Sequence, residues 1–123
     1  MVANEWDEYL VAWRKRADRQ KELNRLREAR AREDALTMAT VLGTEFGVLR
    51  VYLIGSLVRP GTFRSDSDID LVVEGIEPGS FTEAERRLED ITDIPFDLLD
   101  ITELGEIFRG RVLQEGVVLY ERG

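Results

Sequence analysis

An α/β fold of the α+β kind, a small mixed sheet with helices mainly on one face behind a long N-terminal helix, is what the sequence predicts. Three observations carry it. Residues 5–42 contain neither proline nor glycine and are rich in Ala, Leu, Glu, Arg and Lys, the composition of a long helix, or of two helices with a subtle break. Beyond Gly43 and Gly47 the texture changes to short β-branched and aliphatic runs separated by Gly, Pro, Ser and Asp, which read as strands and turns. Two further stretches of helical composition lie between those runs, so the order is helix, strand, turn, strand, helix, strand, helix, strand.

In the first helix Trp6, Leu10, Trp13 and Ala17 form one apolar stripe, and Ala35, Leu36, Met38, Ala39 and Leu42 form a broader one. The spacing predicts that the second stripe packs on a domain and that the first part projects from it. Gly43 and Gly47 mark the helix end. Val48 to Ile54 is a buried strand closing on the tight turn Gly55-Ser56, and Arg59 to Ser67 is a loop. Asp68 to Val73 is a second strand, ending at Gly75. Phe81 to Asp90 is a helix for which Ser80 and Glu83 offer a capping box. Ile94 to Leu99 is a third strand. Thr102 to Gln114 is helical with Thr102 in the cap-like position, and Val117 to Tyr120 is the last strand. The expected organisation is one compact domain, with residues 1–46 as its helical segment and 47–123 as its core.

The composition narrows the chemistry. The 123 residues, 43% of them hydrophobic, suffice for one core. No apolar run approaches the roughly 18 residues of a membrane span, and the first residues lack the layout of a signal peptide, so a cytoplasmic setting is expected. Cysteine and histidine are both absent. Thiolate and imidazole metal sites are thereby excluded, and metal chemistry must use carboxylates, which favour hard cations such as magnesium or manganese. The net charge of −8 disfavours nucleic acid as a general partner. It is unevenly spread: Arg14 to Asp34 holds nine Lys/Arg and five Asp/Glu, a net of +4, leaving −12 for the rest.

The chemistry is carried by aspartates. Asp68 and Asp70 lie two apart on a strand, so their carboxylates share a face while Ile69, Leu71 and Val73 point into the core. Asp97 interrupts the apolar third strand in the same manner. Asp93 and Asp100 compete with it, although Asp100 falls on the opposite face. If the strands are neighbours, three anions converge, and their repulsion calls for a divalent cation. The Gly55-Ser56 turn presents backbone N–H groups and a hydroxyl suited to triphosphate, with turn capping as the plainer reading of Ser56. Arg59 and Arg64 follow in the loop as candidates to neutralise phosphate charge, a solvated loop position being the alternative for each.

Gly55-Ser56, then Ser67-Asp68-Ile69-Asp70-Leu71, then Asp97 on a later strand resembles the nucleotidyltransferase fold of the DNA polymerase beta superfamily. More narrowly it is similar to the minimal nucleotidyltransferases encoded beside HEPN-domain proteins as toxin–antitoxin pairs. The resemblance spans roughly Val48 to Tyr120. It implies that Asp68, Asp70 and Asp97 hold Mg2+ or Mn2+, that Asp97 also activates the attacking hydroxyl, and that Gly55 and Ser56 bind the triphosphate of ATP or another NTP. The chain departs from the family in having eleven residues between Ser56 and Asp68, one more than usual, with Pro60 as the extra one. Proline there biases Arg59 toward extended geometry.

Three functions follow as expectations. The first is transfer of a nucleoside monophosphate, AMP foremost, to a hydroxyl on a HEPN-type partner protein. The second is an antitoxin that neutralises such a partner by contact, with little or no catalysis. The third, ranked last, is transfer to a small molecule or an RNA end. The first helix, amphipathic and bearing two tryptophans, predicts a homo-oligomer through it. Its basic run reads as a solvated face or as a dock for an acidic partner.

Overall fold

The computed structural model describes residues 4–123. Helix α1 runs from Glu5 to Phe46, about 63 Å at 1.5 Å per residue. Asn4 caps it, its side chain accepting from Asp7 N at 2.9 Å while Asp7 reaches back to Asn4 N at 3.4 Å. At the far end Gly47 takes the left-handed conformation. The helix therefore passes through Gly43, which the sequence marks as a terminator. A β-carbon at Gly43 would overlap the Tyr120 ring, so this glycine serves close packing inside the helix.

Four strands follow: β1 (Arg50–Ile54), β2 (Ile69–Glu74), β3 (Phe96–Asp100) and β4 (Val117–Glu121). They form one sheet in the order β3-β2-β1-β4. β1 is antiparallel to β2 and β4, and β2 is parallel to β3, so the sheet is mixed. Helix α2 (Phe81–Glu89) crosses between β2 and β3, and α3 (Glu106–Glu115) lies between β3 and β4.

Alternation along the strands decides which face is covered. Val51, Leu53, Ile69, Leu71, Val73 and Leu98 point to one face, where they are buried with Ala31, Ala35, Met38, Ala39 and Leu42 of α1 and Ala84 and Leu88 of α2. The opposite face carries a smaller apolar cluster, Tyr52, Val72, Ile101 and Val112, flanked by Ile54, Leu99 and Leu104. Val112 anchors α3 there, so two helices cover one face and the third sits on part of the other. Among the described residues no helix is long and apolar enough to cross a membrane.

Two capping expectations are corrected. Ser80 has helical backbone angles and makes no capping bond, because a 3-10 turn over Pro78–Ser80 feeds directly into α2. Thr102 does not cap α3 either. The Asp100 carboxylate accepts from Thr102 N at 3.0 Å and from Thr102 Oγ1 at 2.8 Å, closing the short turn Ile101–Glu103. Leu104 is then extended, and α3 starts at Glu106.

Candidate active site

On the face that α3 only partly covers, Ile54, Asp70 and Asp97 are direct neighbours on three adjacent strands. Asp70 pairs with Ile54 across the antiparallel ladder and with Asp97 across the parallel one. Adjacent strands lie about 4.8 Å apart, so the two carboxylates face the same space. Asp68 sits just ahead of β2, exposed and two residues from Asp70. The competitors drop away: the Asp100 carboxylate turns back onto Thr102, and Asp93 lies 4.0 Å from Arg30 of α1.

Electrostatics mark Asp70 as the centre of the cluster. Partial burial, then the negative charges of Asp97 and Asp68, push its carboxyl up from 3.8 to about 6. Each cause penalises the ionised form. A hard cation would relieve all three. Carboxylate oxygens are the donors that Mg2+ or Mn2+ takes, so the residues suit such an ion in kind. No group of three acidic side chains among the described residues is already gathered into a cation cage. Asp68 is solvent-exposed, and its charge still acts on Asp70.

Next to Asp70, β1 ends and the chain turns. Gly55 has φ +80, and a β-carbon there would strike the Asp70 carboxylate. Gly55 is therefore required twice, for its left-handed backbone and for its missing side chain. Gly55–Val58 forms a 3-10 turn, after which Arg59 is extended at φ −105, ψ 131, as a residue before proline should be. Thr62 closes the loop by donating to the carbonyls of Ser56 and, at 2.8 Å, Arg59. The loop is also tied to α1. Gly61 N donates to Glu28 Oε1 at 2.9 Å, and buried Phe63 lies under the Arg27 guanidinium, 5.8 Å from ring centre to Cζ.

A cleft of about 570 Å3 opens between this turn and α3. One wall holds Gly55, Ser56, Val58, Arg59, Thr62 and Asp70; the other holds Phe108, Arg111, Val112 and Glu115. Gly55, Ser56, Arg59 and Asp70 line the cleft together, whereas Asp68 and Asp97 are not among its lining residues. Arg64 is exposed and does not line the cleft; its backbone N–H donates to Ser67 Oγ at 2.9 Å. The α3 wall was not foreseen. Its signal was the i, i+3, i+4, i+7 spacing of positions 108, 111, 112 and 115, which puts Arg111 and Glu115 on the same helix face as buried Val112.

The fold is that of the nucleotidyltransferases. Residues 37–123 match the family described as Polymerase beta, Nucleotidyltransferase, and the chain belongs to that family. More narrowly, it is similar to a structure described as a minimal nucleotidyltransferase, at 32% identity over 75% of this chain and 93% of that one, with a TM-score of 0.57. Two toxin–antitoxin complexes share the fold. One, solved with AMP-PNP, is 23% identical over 71% of this chain and 73% of that one, TM-score 0.59. The other, a tri-AMPylated Shewanella oneidensis HEPN toxin with its MNT antitoxin, is 20% identical over 75% and 73%, TM-score 0.55. No curated protein matches the chain.

Proposed function

We propose that this chain is a metal-dependent nucleotidyltransferase that moves AMP from ATP to a hydroxyl on a HEPN-type partner protein, in the cytoplasm, as an antitoxin. The observation that carries the reading is the in-register pairing of Asp70 with Asp97 beside the Gly55-Ser56 turn. It sets an acidic pair next to a backbone turn suited to phosphate. The complexes with AMP-PNP and with an AMPylated HEPN toxin support the choice of donor and acceptor.

In this reading Asp68, Asp70 and Asp97 hold one or two Mg2+ or Mn2+ ions, which when bound offset the charge of the triphosphate and of the carboxylates. Gly55 and Ser56 donate to the β- and γ-phosphates through backbone N–H groups and the Ser56 hydroxyl. Arg59 faces the same phosphates from the loop, and Arg111 approaches from α3, so the leaving pyrophosphate departs between two guanidinium groups. Phe108, with Val58 across the cleft, offers apolar surface to the base. Asp97, exposed on the edge strand β3, accepts the proton of the incoming hydroxyl as it attacks the α-phosphorus in line with pyrophosphate. Arg64 is left to the solvated loop.

The test is calorimetry of ATP binding with and without magnesium, followed by transfer of labelled AMP to the partner. Magnesium-dependent binding that is lost in Asp68→Ala/Asp70→Ala, together with labelling of the partner, is the expected result. Undiminished transfer by Asp68→Ala, Asp70→Ala and Asp97→Ala variants would sink the reading.

One observation favours a second reading, neutralisation by contact: the three carboxylates are not pre-gathered around a cation site. In that case the triple Asp→Ala variant would co-purify with the partner and still neutralise it.

A further inference from the structure

The N-terminal half of α1 stands clear of the domain. From Glu5 to Leu26 every residue except Ala17 and Asn24 is exposed, and burial begins in earnest only at Ala31. The projecting part is about 33 Å long at 1.5 Å per residue. In proteins most helical stability comes from packing of an apolar face, yet this segment carries its large apolar groups in the open. Trp6 is 64% exposed and Trp13 56%, with Tyr9 and Leu10 beside them. Trp6 stacks on Tyr9 at 5.8 Å between ring centres.

The exposed stripe is not randomly placed. Trp6, Leu10, Trp13, Ala17, Gln20, Asn24, Arg27 and Ala31 follow each other at alternating spacings of four and three, the seam of a coiled coil. At its C-terminal end that seam runs into the buried face of α1, which starts at Ala31. The projecting half continues the packed face with nothing on it from within the described chain. Gln20 and Asn24, bonded to each other at 3.0 Å, form a polar break in the seam.

Charge indicates what fits there. The first turn is acidic, with Glu5, Asp7 and Glu8. Arg14, Lys15, Arg16, Arg19 and Lys21 follow, opposed only by Asp18. Two such segments laid parallel set acid on acid and base on base. Laid antiparallel they set Glu5 and Asp7 of one beside Arg19 and Lys21 of the other, twice over by symmetry.

We propose that the projecting half of α1 is a homodimerisation arm, pairing antiparallel with the same segment of a second copy about an axis near Trp13. Leu10 of each copy then packs on Ala17 of the other, and the two Trp13 rings meet at the axis. Four indoles offering about 150 Å2 each supply about 600 Å2. A stable interface buries about 1,200 Å2 or more, and Leu10, Ala17, Tyr9 and the aliphatic stems of the arginines supply the remainder. The inference is independent of the nucleotide chemistry.

The experiment uses the full chain. Both of its tryptophans lie on the arm and it has no cysteine, so intrinsic fluorescence and single introduced cysteines report on this contact alone. Light scattering from micromolar to near-millimolar concentration is expected to reach twice 14.1 kDa, with a blue shift of tryptophan emission on association and weaker association at high salt. Trp13→Glu, on an exposed position, should be monomeric with unchanged thermal stability of the core. Arg14→Cys, beside the axis, should oxidise to a covalent dimer, whereas Gln20→Cys should not. A monomer at every concentration would overturn the proposal and leave the stripe to a different protein. So would a dimer indifferent to Trp13→Glu, and so would cross-linking through position 20 in place of 14, which means parallel arms.

Discussion

The backbone of Gly55 is pressed against the carboxylate of Asp70, so that a β-carbon on Gly55 would occupy the space of Asp70 Oδ2. The contact joins the Gly55-Ser56 turn to the acidic pair and fixes their separation. Gly55→Ala adds both this collision and a left-handed backbone that alanine resists. We expect it to destabilise the fold by about 2 kcal/mol and to weaken ATP binding more than tenfold. Denaturation curves and calorimetry on the same variant check the two effects.

Asp70 predicts a pH dependence with a definite sign. Its carboxyl titrates at about 6 in the fold against an ordinary 3.8, so the folded state holds this proton more tightly than the unfolded state. The favourable contribution is complete below about pH 4 and is lost as the pH rises through 6. The carboxyl remains half-exposed, which reduces the penalty at neutral pH to about 1 kcal/mol. Asp70→Asn in EDTA should therefore melt about 4 °C higher than wild type at pH 7.5, with the gap closing toward pH 4. Magnesium should raise the wild-type midpoint and leave the variant's nearly unchanged. A gap that widens on acidification would reverse the assignment.

Asp97 is exposed on the edge strand β3, and in the proposed reading the acceptor enters beside it. Asp97→Asn removes the proposed proton acceptor while keeping shape and hydrogen bonding. AMP transfer to the partner should fall by about 100-fold or more, with ATP affinity changed far less. Equal losses in binding and transfer would make Asp97 a ligand-holding group only.

The α3 wall separates two roles. Arg111→Ala should weaken binding of both ATP and inorganic tripolyphosphate about tenfold, the loss of one charge-assisted contact. Phe108→Ala should weaken ATP and spare tripolyphosphate, because only ATP has a base to cover it. Displacement calorimetry with the two ligands distinguishes them.

Glu28 holds the loop from a distance through Gly61 N–H. Glu28→Ala should release the segment around Arg59, lowering ATP affinity several-fold while magnesium still stabilises the protein through the carboxylates. Faster amide exchange at Gly61 would report the release directly.

The strands, the three helices and the aspartates were legible because each depends on local rules. Alternation placed Asp70 opposite Ile69 and Leu71, whereas Asp68, expected on the same strand, falls just ahead of it; Pro60 foretold the extended Arg59. Less legible were positions whose role depends on a distant partner. Gly43 looked like a helix terminator and is a seat for Tyr120. Ser80 and Thr102 have cap-like identity, but their neighbours had already taken up turn geometry. Arg64 resembled Arg59 in sequence, and only the fold of the loop sent one into the cleft and the other to solvent.

By itself the sequence determined the chemistry available: no thiol, no imidazole, and carboxylates on a strand face beside a glycine-serine turn, all consequences of residue type and a period of two. The tertiary structure decided which groups share a space. Strand order β3-β2-β1 put Asp97 beside Asp70 and Asp70 beside the turn, and the return of the chain through α3 supplied Phe108 and Arg111 as the second wall. Strand pairing and helix docking join residues far apart in the chain through packing of whole apolar faces, a choice that no local spacing encodes.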